Sequence, residues 1–268
     1  MYKLIGIDMD GTLLNSQKQI SPRTQAAIQA AKDKGVQIVL SSGRPIEGLR
    51  AYLDQLGLNS EHDYAVHYNG AFVENVLTGE IIRQQVVSAA DVKMIGRTAR
   101  ALNVNTHAFS QILGLITPKS SKYTQLEAQI NHIDIHEIDF ETLDDDHPMI
   151  KAMIVDEPEK LTQAYQNLPA AVVEKFTIVQ SAPHFLEFLN PQSNKGLGIQ
   201  AVAERLGIPA EAVMCIGDAE NDHHMLEYAG LGIAMANAMP QTKAIADYIT
   251  ASNDEDGVAQ AIEKFILV

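Results

Sequence analysis

The sequence predicts an α/β fold, a mainly parallel sheet covered by helices and interrupted by a second, α+β domain. Three observations carry this expectation. Short apolar runs alternate with amphipathic helical stretches near the N-terminus, and the same alternation returns near the C-terminus. Between them, roughly residues 84–188, the chain is less punctuated by glycine and its strand-like runs no longer alternate so regularly with helices. Four polar clusters each follow directly on an apolar run.

Residues 3–9 are short and apolar and read as a buried strand that ends at an acidic turn. Ser21-Pro22 supplies an N-cap followed by proline at the first helical position. The helix runs through Ala26, Ala27, Ile28, Ala30 and Ala31 and stops at Gly35. A second strand, 36–40, runs into Ser41-Ser42-Gly43-Arg44-Pro45, and a helix over 47–56 is closed by Gly57. A third strand, 64–67, precedes Tyr68-Asn69-Gly70-Ala71. In the C-terminal part, Ile199, Val202, Ala203 and Leu206 form a helical stripe that ends at Gly207. Strands over 213–216 and 231–235, a helix that includes 225–228 and a last helix over 257–266 complete the set. Runs 150–155 and 185–189 are strand-like and belong to the middle segment. The expected division is a core of 1–83 and 189–268, with 84–188 inserted as a second domain.

Composition narrows the function. The chain has 268 residues and a formal net charge of -14, from 34 acidic and 20 basic residues. No basic block or basic-aromatic stripe is present, which argues against a nucleic-acid partner. An acidic surface still admits an anionic substrate, because exposed charges are screened over about 8 Å at physiological salt. Residues 101–118 carry no Asp, Glu, Lys or Arg, but Asn103, Asn105, Thr106, Ser110 and Gln111 interrupt them, so no membrane span is expected. Cys215 is the only cysteine, and the first apolar run is cut short by Asp8 and Asp10. Neither a disulfide nor a signal peptide is expected, and the protein reads as cytoplasmic.

The polar clusters are Asp8-Met9-Asp10-Gly11-Thr12, Ser42-Gly43-Arg44, Tyr68-Asn69-Gly70 and Gly217-Asp218-Ala219-Glu220-Asn221-Asp222. In open parallel sheets ligands bind beyond the carboxyl ends of the strands, so parallel strands would bring all four to one crevice. Their chemistry suits phosphate-ester hydrolysis, one of the slowest uncatalysed reactions, which needs positioning and electrostatic stabilisation beyond acid-base catalysis. Asp8 is the expected nucleophile, splitting the reaction through an aspartyl-phosphate. Asp10 would protonate the leaving oxygen and later help activate water, so the two carboxyls need different environments. Gly11 would let the chain turn closely past the phosphate and Thr12 would brace that turn. Mg²⁺ on the side chains of Asp8 and Asp218 and the backbone carbonyl of Asp10 would neutralise the phosphate. Lys195, in Asn194-Lys195-Gly196 at a helix start, would add positive charge, with Ser42 and the Met9 and Gly43 amides completing a cradle.

On these residues the chain resembles, along its whole length, the haloacid dehalogenase (HAD) superfamily phosphatases of the Cof-type branch. The carriers are Ile7-Asp8-Met9-Asp10-Gly11-Thr12-Leu13-Leu14, Ser42-Gly43-Arg44-Pro45, Tyr68-Asn69-Gly70-Ala71, Asn194-Lys195-Gly196 and the run Gly217 to Asp222. The resemblance implies a Rossmann-like parallel-sheet HAD core with an inserted α+β cap of the C2B type that sets substrate specificity. It implies Asp8 as nucleophile, Asp10 as general acid and base, and Lys195 as a further catalytic residue. Mg²⁺ would sit on Asp8, Asp10 and Asp218, and Met9, Ser42, Gly43, Lys195 and Asn221 would contact phosphate. Arg44 and Asn69 join the substrate-binding set, while Asp222 would orient Lys195 or the metal shell. The expected activity is hydrolysis of small phosphorylated metabolites, sugar phosphates first, by a monomer or homodimer. A phosphomutase or phosphotransferase with the same intermediate, and a silent metabolite-binding regulator, remain open alternatives.

Other polar residues have blander readings. His223 and His224 are adjacent, so they do not share a helix face, and no third ligand is spaced to join them. Asp144-Asp145-Asp146 reads as a solvated loop, and Cys215 as a buried, inert thiol. Lys119, Lys122 and Lys151 are expected to be ordinary exposed lysines, although Lys151 interrupts an apolar strand.

Overall fold

The structure is a computed structural model that describes residues 1–268. The chain opens with β1 (Leu4–Asp8), α1 (Pro22–Asp33), β2 (Gln37–Ser41), α2 (Glu47–Gln55) and β3 (Tyr64–His67). A hairpin of β4 (Phe72–Asn75) and β5 (Ile81–Gln84) follows. Next come α3 (Ala89–Ala101), β6 (Asn105–Ser110), β7 (Gly114–Thr117), α4 (Lys122–Asn131), β8 (Ile135–Glu137) and β9 (Met149–Val155). After α5 (Pro158–Gln166) and α6 (Ala170–Val173) the strands β10 (Thr177–Ala182) and β11 (Phe185–Leu189) form a second hairpin. The last part runs α7 (Lys195–Arg205), β12 (Val213–Gly217), α8 (His223–Tyr228), β13 (Leu231–Ala234), α9 (Pro240–Ile245), β14 (Tyr248–Ile249) and α10 (Gly257–Phe265).

The chain divides into two compact units, one of Met1–Gln84 with Asn194–Val268 and one of Gln85–Ser193. The first is the α/β unit. Its sheet has the order β14-β13-β12-β1-β2-β3-β4-β5. All pairs from β14 to β3 are parallel, and β4 and β5 extend the edge antiparallel. Alternate residues of the central strands serve two apolar layers, as a sheet covered on both faces requires. Ile5, Ile7, Ile38, Leu40, Met214 and Ile216 pack with residues of α1, α2 and α10. Leu4, Val39, Val213 and Cys215 pack under Ile199, Val202 and Ala203 of α7 and Met225 and Leu226 of α8. The chain leaves β1 toward β2 and β3 on one side and returns to β12 on the other. Asp8, the last residue of β1, therefore stands at the topological switch point of the sheet.

The second unit is built on a mostly antiparallel sheet of order β10-β11-β9-β6-β7-β8, in which only β7 and β8 run parallel. One face, with Ala108, Ile116, Ala152, Ile154, Leu186 and Phe188, packs on Val92 and Ile95 of α3, Leu161 of α5 and Val172 of α6. The expectation of an exposed Lys151 is corrected. The side chain is buried, 2% exposed, and its ammonium lies 2.8 Å from the Glu187 carboxylate on the neighbouring strand and 4.8 Å from the centre of the Phe109 ring. A carboxylate and an aromatic face offset the desolvation that an isolated lysine could not meet. Lys119 and Lys122 are exposed as expected.

The second junction is also corrected. The sequence division began the returning core at residue 189, but Leu189 completes β11, and residues through Ser193 belong to the inserted unit. The Asn190 amide donates to the Val86 carbonyl at 3.0 Å and the Ser193 hydroxyl to the Gln85 carbonyl at 3.1 Å, so the two connecting segments are tied side by side. No helix is long and apolar enough to cross a membrane.

Candidate active site

All four clusters, with Lys195, belong to the α/β unit, and each of their loops starts where a strand ends. Asp8 is 6% exposed and is brought to the sheet rim by the apolar residues that bury β1. After it the chain reverses tightly, with Leu13 N donating to Asp8 O at 3.1 Å and Leu14 N to Met9 O at 2.9 Å. Gly11 makes this reversal possible with φ +92°, a region that disfavours side chains. A Cβ there would also lie 2.5 Å from Asp218 Oδ2, so only glycine lets the two loops approach. The Met9 side chain is fully buried in the apolar layer, which leaves only its backbone for the site.

Lys195 enters at the first turn of α7, whose N-cap Asn194 accepts Leu197 N at 2.8 Å. Its ammonium is wholly buried and donates to Asp8 Oδ1 at 2.5 Å and to Asp222 Oδ1 at 2.6 Å. The other Asp222 oxygen accepts the backbone N–H groups of Asp218 at 2.9 Å and Ala219 at 3.0 Å. Asp222 thus shapes the loop after β12 and anchors the lysine with one side chain. Thr12 Oγ1 donates to Asp218 Oδ1 at 2.8 Å, linking the first and last clusters across the sheet rim.

The loops after β2 and β3 are stitched to the same centre. Ser42 N donates to Val66 O and Asn69 N to Ser42 O, both at 2.9 Å, while Arg44 N donates to Ser42 Oγ at 3.2 Å. Asn69 sits in the left-handed region with φ 55°, and its Oδ1 accepts Asn221 Nδ2 at 3.0 Å. Gly70, with φ +86°, passes so close to α7 that a Cβ would collide with the Asn194 carbonyl.

Which groups could hold a cation follows from the donor set. Ligand oxygens of Asp8, Asp218 and Asp222 all lie within 4.8 Å of one another. These are hard oxygen donors, without thiolate or imidazole among them, a set that suits Mg²⁺, Mn²⁺ or Ca²⁺ over softer metals. Three carboxylates share one ammonium, so the cluster fits a cation electrostatically. Beside the two expected side-chain ligands, Asp8 and Asp218, the cluster holds one more carboxylate, that of Asp222. The Asp10 side chain lies elsewhere, with Oδ2 accepting Arg44 Nε and Oδ1 accepting Arg44 Nη2 and Lys18 Nζ, each at 2.7 Å. Asp10 can join a metal only through its backbone.

The two carboxyls sit in different environments. Burial pushes the Asp8 carboxyl well above the usual carboxylate range, aided by the charge of Asp222 and opposed by Lys195. Asp218 is raised as well, first by burial and then by Asp222. Burial also works upward on Asp10, but the hydrogen bonds and charge of Arg44 and Lys18 prevail and hold it below its ordinary value. Without bound ligands, the expected nucleophile is the group biased toward protonation and the expected acid is held ionised.

Lys18 and Asn237 escape sequence reasoning. Lys18 lies in a turn made by Asn15, whose Oδ1 accepts the N–H groups of Gln17 and Gln19 at 3.0 Å each. Asn237 Nδ2 donates to the Gly11 carbonyl at 2.8 Å. Lys18 stands at no strand end, and the Asn15 turn is the one local signal near it; Asn237 lies three residues past the end of β13, a strand-end position that could have marked it. His223 pairs with Thr242 Oγ1 at 2.9 Å, a packing role rather than a metal one.

The chain belongs to the haloacid dehalogenase-like hydrolases. A sequence model of that family matches residues 5–262. The protein YxeH of Bacillus subtilis is 41% identical over 269 residues, covering 100% of this chain and 99% of its own. The 5-amino-6-(5-phospho-D-ribitylamino)uracil phosphatase YcsE of the same organism is 33% identical, covering 99% of this chain and 96% of its own. A crystal structure of a haloacid dehalogenase-like hydrolase from Bacteroides thetaiotaomicron superposes with a TM-score of 0.87 at 35% identity, covering 99% of this chain and 100% of that one.

Proposed function

We propose that this haloacid dehalogenase-like hydrolase is a Mg²⁺-dependent phosphatase of small phosphorylated metabolites, with sugar and polyol phosphates as the first class. One observation carries the reading: a buried aspartate at the switch point of a parallel sheet, bound to a buried lysine and clustered with two further carboxylates. The similarity to a phosphatase of a phosphorylated ribityl chain supports the substrate class.

In this reading Asp8 attacks phosphorus, and the bond from phosphorus to the leaving oxygen breaks as that oxygen takes a proton from Asp10. Water then attacks the same phosphorus, Asp10 accepts its proton, and the bond to Asp8 breaks to release inorganic phosphate. Asp8, Asp218 and the Asp10 carbonyl would hold Mg²⁺, with Asp222 beside them. Bound there, the ion supplies the positive charge that neutralises the phosphate and favours ionised Asp8. Lys195 contributes a second fixed positive charge, kept in place by Asp222 when Asp8 becomes an uncharged acyl phosphate. Asp10 must exchange its Arg44 and Lys18 partners for a proton before it can act as an acid. Substrate binding drives this exchange by offering Arg44 and Lys18 a competing anion. In this reading the inserted unit sets the choice of leaving group.

The test is phosphate release from a panel of phosphorylated sugars and polyols, with Mg²⁺ and with the metal chelated. Release that needs Mg²⁺ is expected. Undiminished release in chelator, or none from any monoester, contradicts the reading.

A further inference from the structure

Ser41 is buried at the heart of the site, and no sequence motif assigns it a role. It is the last residue of β2 and pairs in register with Asp8, the last residue of β1. Paired residues of neighbouring parallel strands point to the same face of the sheet, with strands about 4.8 Å apart. Asp8 faces α7, since it meets Lys195. Val39, two residues before Ser41, packs in the same layer as Ile199 of α7. The Ser41 side chain therefore points to the face that carries the Lys195–Asp8 contact, one strand over from Asp8.

That hydroxyl is an anomaly. Ser41 is 0% exposed, and its Oγ has no hydrogen-bond partner. A buried polar group without a partner destabilises a fold, and an alanine would fill nearly the same space without that penalty. Lys195 supplies the complementary observation. An ammonium has three N–H donors, and Lys195 makes two side-chain hydrogen bonds, one to Asp8 and one to Asp222.

We propose that Ser41 is a positioning residue for Lys195, its hydroxyl being the reserve acceptor for the ammonium while Asp8 carries the phosphoryl group. As Asp8 changes from carboxylate to acyl phosphate, Lys195 loses one of its two anionic partners. Ser41 Oγ then accepts the freed N–H and keeps the ammonium beside the phosphoryl oxygens instead of letting it retreat to Asp222 alone. The hydroxyl is thus unpartnered in the resting arrangement and engaged in the intermediate. This inference rests on the aspartyl-phosphate reading of Asp8.

Ser41→Ala and Ser41→Thr separate this role from a packing one. With p-nitrophenyl phosphate and Mg²⁺, S41A is expected to lose about tenfold in kcat with little change in KM, the worth of one hydrogen bond to a charged group. Its thermal midpoint should equal or exceed that of the wild type, while S41T, which keeps the hydroxyl, recovers most of the rate. A second readout needs no turnover: stabilisation by Mg²⁺ with beryllium fluoride, which mimics an aspartyl-phosphate. Half-saturation should move to about tenfold more beryllium fluoride in S41A. An S41A protein with wild-type kcat and wild-type beryllium fluoride response overturns the inference. If wild type is active but gains no stability from beryllium fluoride, and Asp8→Asn stays active, the aspartyl-phosphate reading itself fails, and this inference with it.

Discussion

Replacing Lys195 by methionine keeps the bulk of the side chain and removes its charge, which makes it the most informative perturbation of the site. The wild-type ammonium is wholly buried and makes contacts of 2.5 and 2.6 Å with Asp8 and Asp222. Burial works against its charge, yet Asp222 and Asp8 together hold its pKa above the ordinary lysine value. Deleting one partner of a buried ion pair costs about 3–5 kcal/mol, because the other charge is left uncompensated. Here two carboxylates lose their counter-charge, but Asp8 is already biased toward protonation and can neutralise itself. We therefore expect a loss near the lower bound, about 3 kcal/mol at pH 7, in metal-free buffer. The sign of its pH dependence follows from linkage. A carboxyl whose folded pKa is raised contributes fully below its unfolded value, and that contribution is lost as pH rises through the folded pKa. Without Lys195 that folded pKa rises further, so the deficit should be smaller at pH 5 and grow toward pH 8. Urea unfolding of both proteins across this range measures it, and added Mg²⁺ should recover part of the loss in K195M by binding the uncompensated carboxylates. A deficit below about 1 kcal/mol, flat with pH, would refute the electrostatic account of the cluster.

Three further outcomes follow from the same geometry. Asp10→Asn should lower kcat by about 10²- to 10⁴-fold on sugar phosphates but far less on p-nitrophenyl phosphate, whose leaving group needs no acid; equal losses on both would remove Asp10 as the acid. Gly11→Ala, at φ +92° and with its Cβ 2.5 Å from Asp218 Oδ2, should destabilise the fold by more than about 1 kcal/mol and weaken Mg²⁺ activation, as titration of activity with Mg²⁺ will show. In the inserted unit, burial and then the charge of Lys151 push His107 down to about 3. Its neutral form contributes stability that is complete above the unfolded pKa of about 6.5 and lost as pH falls toward 3. The urea midpoint of the wild type should therefore drop more steeply between pH 6.5 and 4 than that of His107→Leu, and parallel curves would contradict the assignment.

Much of the core was legible because its physical causes are local. An apolar run ended by Asp8 or by Gly217-Asp218 announces both a buried strand and the polar loop after it, and parallel pairing then brings the loops together. What escaped depends on pairings that one sequence does not encode. The burial of Lys151 is set by Glu187 on another strand, 36 residues away. The β4–β5 hairpin consists of four-residue strands on the edge, too short for a period to show. The true end of the insert is fixed by side chains of Asn190 and Ser193 bonding to the carbonyls of Val86 and Gln85, which leaves no trace in hydropathy. The capture of the Asp10 side chain by Arg44, 34 residues away, and by Lys18 is likewise invisible to pattern.

The central claim is that Asp8 carries the phosphoryl group. Acid-quenching the enzyme within its first turnovers of a ³²P-labelled sugar phosphate, then mapping the labelled peptide, tests it most directly. Label on the peptide that contains Asp8 is predicted, together with its absence in Asp8→Asn and a fall of at least about 10³-fold in that variant's turnover. Label on another residue, or an Asp8→Asn protein that hydrolyses the substrate at the wild-type rate, would contradict the account.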